Sequence, residues 1–175
     1  MDALTESARK ILSGIARNVA SDARIDKHRE NIEVIRERWK ESKLLFIKEA
    51  LGLEDRWYLR RGLYFKGQEI ENSDRNLAVW LATRGTGKST VGSIADTIWE
   101  ICDNRDKTHL LASETKETSI FLASSIKHHL SYNENLKYVY GDFIGSKWKE
   151  SFFTVSGRKR RLSDKEGTVE CIGVN

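Results

Sequence analysis

Residues 77–102 constrain this chain more than any other stretch. Leu77-Ala78-Val79-Trp80-Leu81 is a short unbroken apolar run, which predicts a strand buried on both faces of a parallel sheet. It leads into Ala82-Thr83-Arg84-Gly85-Thr86-Gly87-Lys88-Ser89-Thr90, after which Val91, Ile94, Ala95, Ile98 and Cys102 recur at helical spacing. A strand, a glycine-bearing turn, Gly-Lys-Ser and a helix form the context of a phosphate-binding P-loop. Glycines let the backbone bend around an anion, so N–H groups from Gly85 through Thr86 and Gly87 to Ser89 can point at a β-phosphate. The helix that begins near Lys88 offers its positive end to the same group. Lys88 adds a full charge able to reach the β- and γ-phosphates, and the Ser89 hydroxyl can ligate Mg2+. The predicted phosphate-binding set is therefore Gly85, Thr86, Gly87, Lys88, Ser89 and Thr90, with a nucleotide's phosphates and Mg2+ as the ligands.

The common pattern, G-x-x-x-x-G-K-[ST], has its first glycine where Ala82 stands here, and Gly85 can supply the flexibility instead. Arg84 is open to two readings. It is either a solvated loop arginine or a group placed to stabilise charge developing on a transferred phosphoryl group, a catalytic role shared with Lys88.

Upstream, the chain reads as helix. Leu4, Ala8, Ile11, Leu12, Ile15, Ala16 and Val19 fall at steps of three and four, and Ile25, Ile32, Ile35 and Trp39 continue with more polar company. After Ser42 come Leu44, Leu45, Phe46, Ile47, Ala50 and Leu51, ending at Gly52, which suits a left-handed cap. These helices either pack together or against the following domain, or dock a partner protein. The predicted organisation is a helical arm over 1–53 and an α/β core over 54–175: a partial parallel sheet flanked by helices, of the P-loop NTPase type.

Composition excludes several classes. Of 175 residues, 32% are charged and 39% hydrophobic, which fits a globular protein rather than a disordered tail. No apolar run approaches the roughly 20 residues of a membrane-spanning helix, so no membrane partner is expected. The acidic start Met1-Asp2-Ala3-Leu4-Thr5-Glu6 lacks a signal core. Two cysteines, Cys102 and Cys171, make no disulfide framework and suit a reducing cytoplasm, with no zinc site implied. A net charge of +4 is too small to argue for nucleic acid by itself.

The Arg84-Gly85-Thr86-Gly87-Lys88-Ser89 loop resembles that of the large terminase subunit of tailed bacteriophages. Downstream, Leu110-Leu111-Ala112-Ser113-Glu114-Thr115, Tyr140-Gly141-Asp142-Phe143, Trp148 and Thr168-Val169-Glu170-Cys171-Ile172-Gly173-Val174 are similar to later segments of that family and occur in its order. Phe46-Ile47-Lys48-Glu49-Ala50-Leu51-Gly52 resembles the helix before its ATPase core. The resemblance implies an ATP-driven motor that packages double-stranded viral DNA into procapsids in the host bacterial cytoplasm. Portal protein and small terminase subunit would be its partners, with a homo-oligomeric ring in the intact protein. Lys88 and Ser89 would hold Mg-ATP, and Arg84 would touch the phosphates.

Hydrolysis also needs a carboxylate for magnesium and a group that orients water. In that superfamily both follow an apolar strand, the Walker B element. Leu110-Leu111-Ala112-Ser113-Glu114 ends in an acid but resembles the second strand, and Val139-Tyr140-Gly141-Asp142 carries a glycine before its acid. The chain is therefore expected to be the N-terminal part of such a protein, truncated before Walker B, binding nucleotide with little or no turnover. Two other readings stay open: a small P-loop nucleotide or nucleoside kinase, and a non-catalytic remnant or interaction module of phage assembly.

Arg158-Lys159-Arg160-Arg161 reads as the solvated tip of a hairpin, near Asp164 and Glu166, or else as a patch for DNA phosphates. His128-His129 lies on the helix after Glu114 with no ligand at metal spacing and reads as solvated or packed.

Overall fold

The structure, a computed structural model, describes residues 31–53, 87–159 and 166–174. The chain divides into two compact units, Met1–Glu37 and Arg38–Asn175. Of the first unit, residues 31–37 are described; they are helical, with an Arg36–Glu33 ion pair at 3.1 Å one turn apart. Helix continues in the second unit to Glu41, and we label the whole 31–41 segment α1.

The second unit holds the α/β core. Helix α2 (Lys43–Leu45) is capped by the Ser42 hydroxyl, which accepts from the Leu45 N–H, and it widens at once into a π-helical turn over Phe46–Ala50. The wider turn shows in the Leu51 N–H, which donates to the Phe46 carbonyl five residues back at 3.3 Å. Gly52 follows at φ +66°, a left-handed conformation that glycine adopts without strain. A second π-helical segment, Ser89–Ala95, runs directly into α3 (Asp96–Asp103). Strand β1 (His109–Ser113) comes next, then α4 (Lys116–Tyr132) and α5 (Glu134–Tyr140). Strands β2 (Ile144–Trp148), β3 (Phe152–Val155) and β4 (Val169–Gly173) complete the described chain.

Four strands form one mixed sheet in the order β1-β4-β3-β2. β1 and β4 are parallel, with Leu111 opposite Cys171, while β3 runs antiparallel to both β4 and β2. Side chains alternate across the sheet, so the paired residues Leu111 and Cys171 share one face with Val169 and Phe153, and all four are buried. Leu110 and Ile172 point the other way and are exposed. Helix α4 covers the buried face: Ser119, Ala123, Ile126 and Leu130 recur at steps of three and four and are fully buried. The Cys171 thiol lies 3.5 Å from the Ser119 carbonyl across that interface.

Capping explains where the helices begin and end. The Thr115 hydroxyl accepts from the Thr118 N–H at 3.3 Å to open α4, and Asn133 accepts from the Leu136 N–H at 3.1 Å to open α5. α5 stops at Gly141, whose φ of +77° again needs glycine. The Asn133 and Asn135 amides also donate to the carbonyls of Ala50 and Glu49, at 2.8 and 2.9 Å, satisfying backbone groups that the π-helical turn leaves open.

Residues 38–51 are tied to α3. Lys43 pairs with Asp96 at 2.6 Å and lies 4.6 Å from the centre of the Trp99 ring. The Trp99 indole donates to the Trp39 carbonyl at 2.9 Å, and Trp39 itself stacks on Tyr140 at 6.2 Å. Trp39, Phe46, Ile47 and Ala50 are buried, so the helices before Gly52 form part of the second unit's core. At the far end of α3, Arg105 gathers three segments: its guanidinium donates to the carbonyls of Tyr140, Asp142 and Ser156 at 2.6–3.0 Å and lies over the Phe143 ring.

No helix among the described residues is long and apolar enough to cross a membrane.

Candidate phosphate-binding site

Of the segment expected from the sequence to form a P-loop, Gly87 to Thr90 are described. Gly87 stands at φ +73°, a conformation an L side chain rarely adopts. The chain turns helical at the next residue: Lys88 has φ −54° and ψ −42°, and the Val91 N–H donates to the Gly87 carbonyl at 3.0 Å. Lys88, Ser89 and Thr90 are exposed, whereas Val91, Ala95, Ile98 and Cys102 are buried on the opposite side, as their helical spacing requires. The first turn of the π-helical segment carries no acidic side chain, so nothing there opposes an anion at its positive end. Arg84, Gly85 and Thr86 lie outside the described residues, as does the Leu77–Leu81 run.

The π-helical opening was not legible from the sequence. Helical periodicity marks the apolar face, but five-residue and four-residue hydrogen bonding bury nearly the same positions over two turns. At Asp96 the backbone N–H donates to Val91, five residues back, and ordinary α-helix resumes.

For a metal, the available donor is the Ser89 hydroxyl, a hard oxygen of the kind magnesium prefers. No group of three or more His, Cys, Asp or Glu side chains able to hold a metal ion occurs among the described residues. That donor set fits magnesium that arrives with phosphate oxygens supplying most of its ligands, and it fits no dedicated protein cage.

The sequence offers two acids as possible Walker B partners, Asp142 and Glu114, and they end different elements. Asp142 follows the helix end at Gly141, and its carboxylate accepts from the N–H groups of Phe143 and Ile144 at 2.9 and 3.4 Å, shaping a turn. Its carbonyl accepts from Arg105 at 3.0 Å, which fixes it at the end of α3 remote from Lys88. Glu114 follows β1 directly and is exposed.

The basic run departs from a solvated hairpin tip at its first residue. The Arg158 guanidinium donates to the Lys107 and Asp106 carbonyls at 3.2 and 2.8 Å and to the Thr168 hydroxyl at 2.8 Å. It fastens the 104–108 turn to the start of β4. Its acceptors lie up to 52 residues away in the chain, so no local pattern could have revealed the role. Lys159 is exposed, and Arg160 and Arg161 lie outside the described residues, as does Asp164.

The remaining titratable candidates are packed groups. Burial pushes both the Cys102 and Cys171 thiols up, which disfavours the thiolate a nucleophile or metal ligand requires. Burial likewise lowers His129, with neighbouring His128 adding to the effect. His109 is lowered by burial too, against an opposing pull from Glu100. No protein-family model, curated protein or solved structure matches the chain.

Proposed function

We propose that the chain is the nucleotide-binding part of a P-loop ATPase, corresponding to the N-terminal ATPase region of a phage terminase large subunit. The observation that carries the nucleotide-binding half is the left-handed Gly87 set immediately before a helix that opens with Lys88 and Ser89 and has no acid in its first turn. A backbone bent by glycine at a helix start, a lysine and a hydroxyl together suit a polyphosphate with its magnesium. The terminase half rests on the likeness of the Arg84–Ser89 loop and of the segments downstream of it.

On this reading Lys88 neutralises charge on the β- and γ-phosphates, Ser89 supplies an oxygen to Mg2+, and the Gly85–Thr90 backbone cradles the β-phosphate. Arg84 would stabilise charge on the γ-phosphoryl group. Double-stranded DNA, portal protein and small terminase subunit are the partners in the host cytoplasm. Turnover by this chain alone is weak, because no second acid follows an apolar strand after β1 within the described residues.

Binding of a fluorescent N-methylanthraniloyl ATP in the presence of Mg2+ tests the first half. Saturable binding is expected, and Lys88→Ala should weaken it at least tenfold. Equal binding by wild type and Lys88→Ala would refute the site. Transfer of phosphate to nucleosides would move the assignment to a kinase.

A further inference from the structure

Away from the phosphate cradle, we infer that α4 carries a self-complementary seam through which two copies of this chain associate, antiparallel and about a two-fold axis. The inference does not depend on the nucleotide reading.

The seam follows from the spacing of α4. Thr118, Phe121, Ser125, His128 and Tyr132 succeed one another at steps of three, four, three and four. That alternation lines the edge along which one helix meets another. At ~1.5 Å per residue the five positions span about 21 Å, nearly the whole helix. They stand on the side of α4 opposite Ser119, Ala123, Ile126 and Leu130, which are buried against the sheet. Helix α4 therefore has two ordered faces, and the sheet covers one of them.

The second face holds large rings in water. Phe121 is 70% exposed and Tyr132 72%, more than any other Phe, Tyr or Trp among the described residues. His128 is exposed between them, its ring 5.3 Å from that of Tyr132. Both small hydroxyls on the seam are already engaged by their own helix or its cap. Ser125 donates to the Phe121 carbonyl at 3.3 Å, and Thr118 shares a hydrogen bond with Thr115 at 3.0 Å. Three side chains of α4 are formally charged, Lys116, Glu117 and Lys127, and none stands on the seam. Lys127 reaches toward β2, donating to the carbonyls of Trp148 and Lys149 at 3.4 and 3.2 Å. One exposed ring is ordinary, but two rings aligned on an uncharged line, in a chain of which 32% is charged, mark a contact surface.

The order of these residues selects the occupant. With the helix set antiparallel against itself, about a point midway between Ser125 and His128, Phe121 meets the partner's Tyr132 and Ser125 meets the partner's His128. Each pair then occurs twice across the axis, as an isologous contact requires. The small serine leaves the depth that the facing imidazole fills, the knob-and-hole relation of packed helices. A parallel pairing would instead set Phe121 on Phe121 and Ser125 on Ser125, leaving a gap at the centre. A buried aromatic side chain covers roughly 150–250 Å². The four rings of Phe121 and Tyr132, with the side chains between them, come to about 1,000 Å² over both copies, the low end for a specific contact. The product is a weak dimer that forms with concentration, and its symmetry closes the assembly at two copies.

Sedimentation velocity of the full chain over a roughly hundredfold range of concentration tests this, on wild type, Phe121→Glu, Tyr132→Lys and the double variant. Wild type should move toward the dimer as concentration rises. Each single variant should weaken association at least tenfold, because it sets a charge against a ring. The double variant should recover it, since the antiparallel register brings the new acid opposite the new base at both ends of the seam. A wild type that stays monomeric throughout would overturn the inference and leave the seam to a helix of another protein. Single variants that associate as wild type does, or a double variant no better than the singles, would overturn it as well. Should a charged variant fail to fold, Phe121→Ser and Tyr132→Ser take its place, and undiminished association in them counts equally against the seam.

Discussion

Arg105 shows how much of this fold hangs on single side chains. Its guanidinium satisfies the carbonyls of Tyr140, Asp142 and Ser156, which belong to the end of α5 and the turns around β2 and β3, and it covers the Phe143 ring at 4.4 Å. Hydrogen bonds from a charged donor are worth more than neutral ones, and the carbonyls left behind on truncation are only partly reached by water. Arg105→Ala is therefore expected to cost about 2–4 kcal/mol. Urea unfolding checks this: the midpoint should fall with the slope unchanged, whereas a shift under about 0.5 kcal/mol, the usual range for a surface change, would contradict it. Nothing in the linear chain marks Arg105 apart from its basic neighbours. Gly87, by contrast, carries its own signal: a glycine directly before a helix start can take the left-handed conformation, φ +73°, that L side chains rarely adopt.

Among the elements, those with strong periodicity were the readable ones. The Val91–Cys102 spacing marks one buried face, and the run ending at Ser113 becomes β1 with its neighbour β4 formed from the Thr168–Val174 segment. Sheet order was not readable: β4 inserts between β1 and β3, and that choice depends on which strand buries its face under α4 rather than on local pattern. One contact fixes the fit of β4 to that helix. A Cβ on Gly173 would stand 2.7 Å from the Lys116 N and 3.2 Å from the Thr115 carbonyl carbon, both of them backbone atoms that cannot swing aside. Gly173→Ala must push β4 and the start of α4 apart, costing about 1–3 kcal/mol as overpacking does. Thermal unfolding should show the drop, and an unchanged melting temperature would mean the strand end and helix start move freely.

For the molecule as a whole, proton linkage sets a direction with pH. His109 and His129 are both lowered in the folded state, chiefly by burial, and the His109 Nε2 is buried with no hydrogen-bond partner among the described residues. The unfolded chain therefore binds more protons than the folded one below the ordinary histidine range near 6.5. Stability is fully present above that range and falls as pH drops through it toward the lowered folded values. Melting temperature should decline between pH 7.5 and 5.5, and His109→Gln should flatten that decline; a flat profile in wild type would refute the linkage. Charge at this scale also needs to be counted in space rather than along the chain. For every phosphate a protein neutralises on duplex DNA, the logarithm of its affinity loses about 0.9 per decade of salt. Because Arg158 is spent on Asp106, Lys107 and Thr168, the 158–161 run can release counterions at three positions at most, and a neutralised variant that includes Arg158 would report a loosened sheet as though it were a lost phosphate contact.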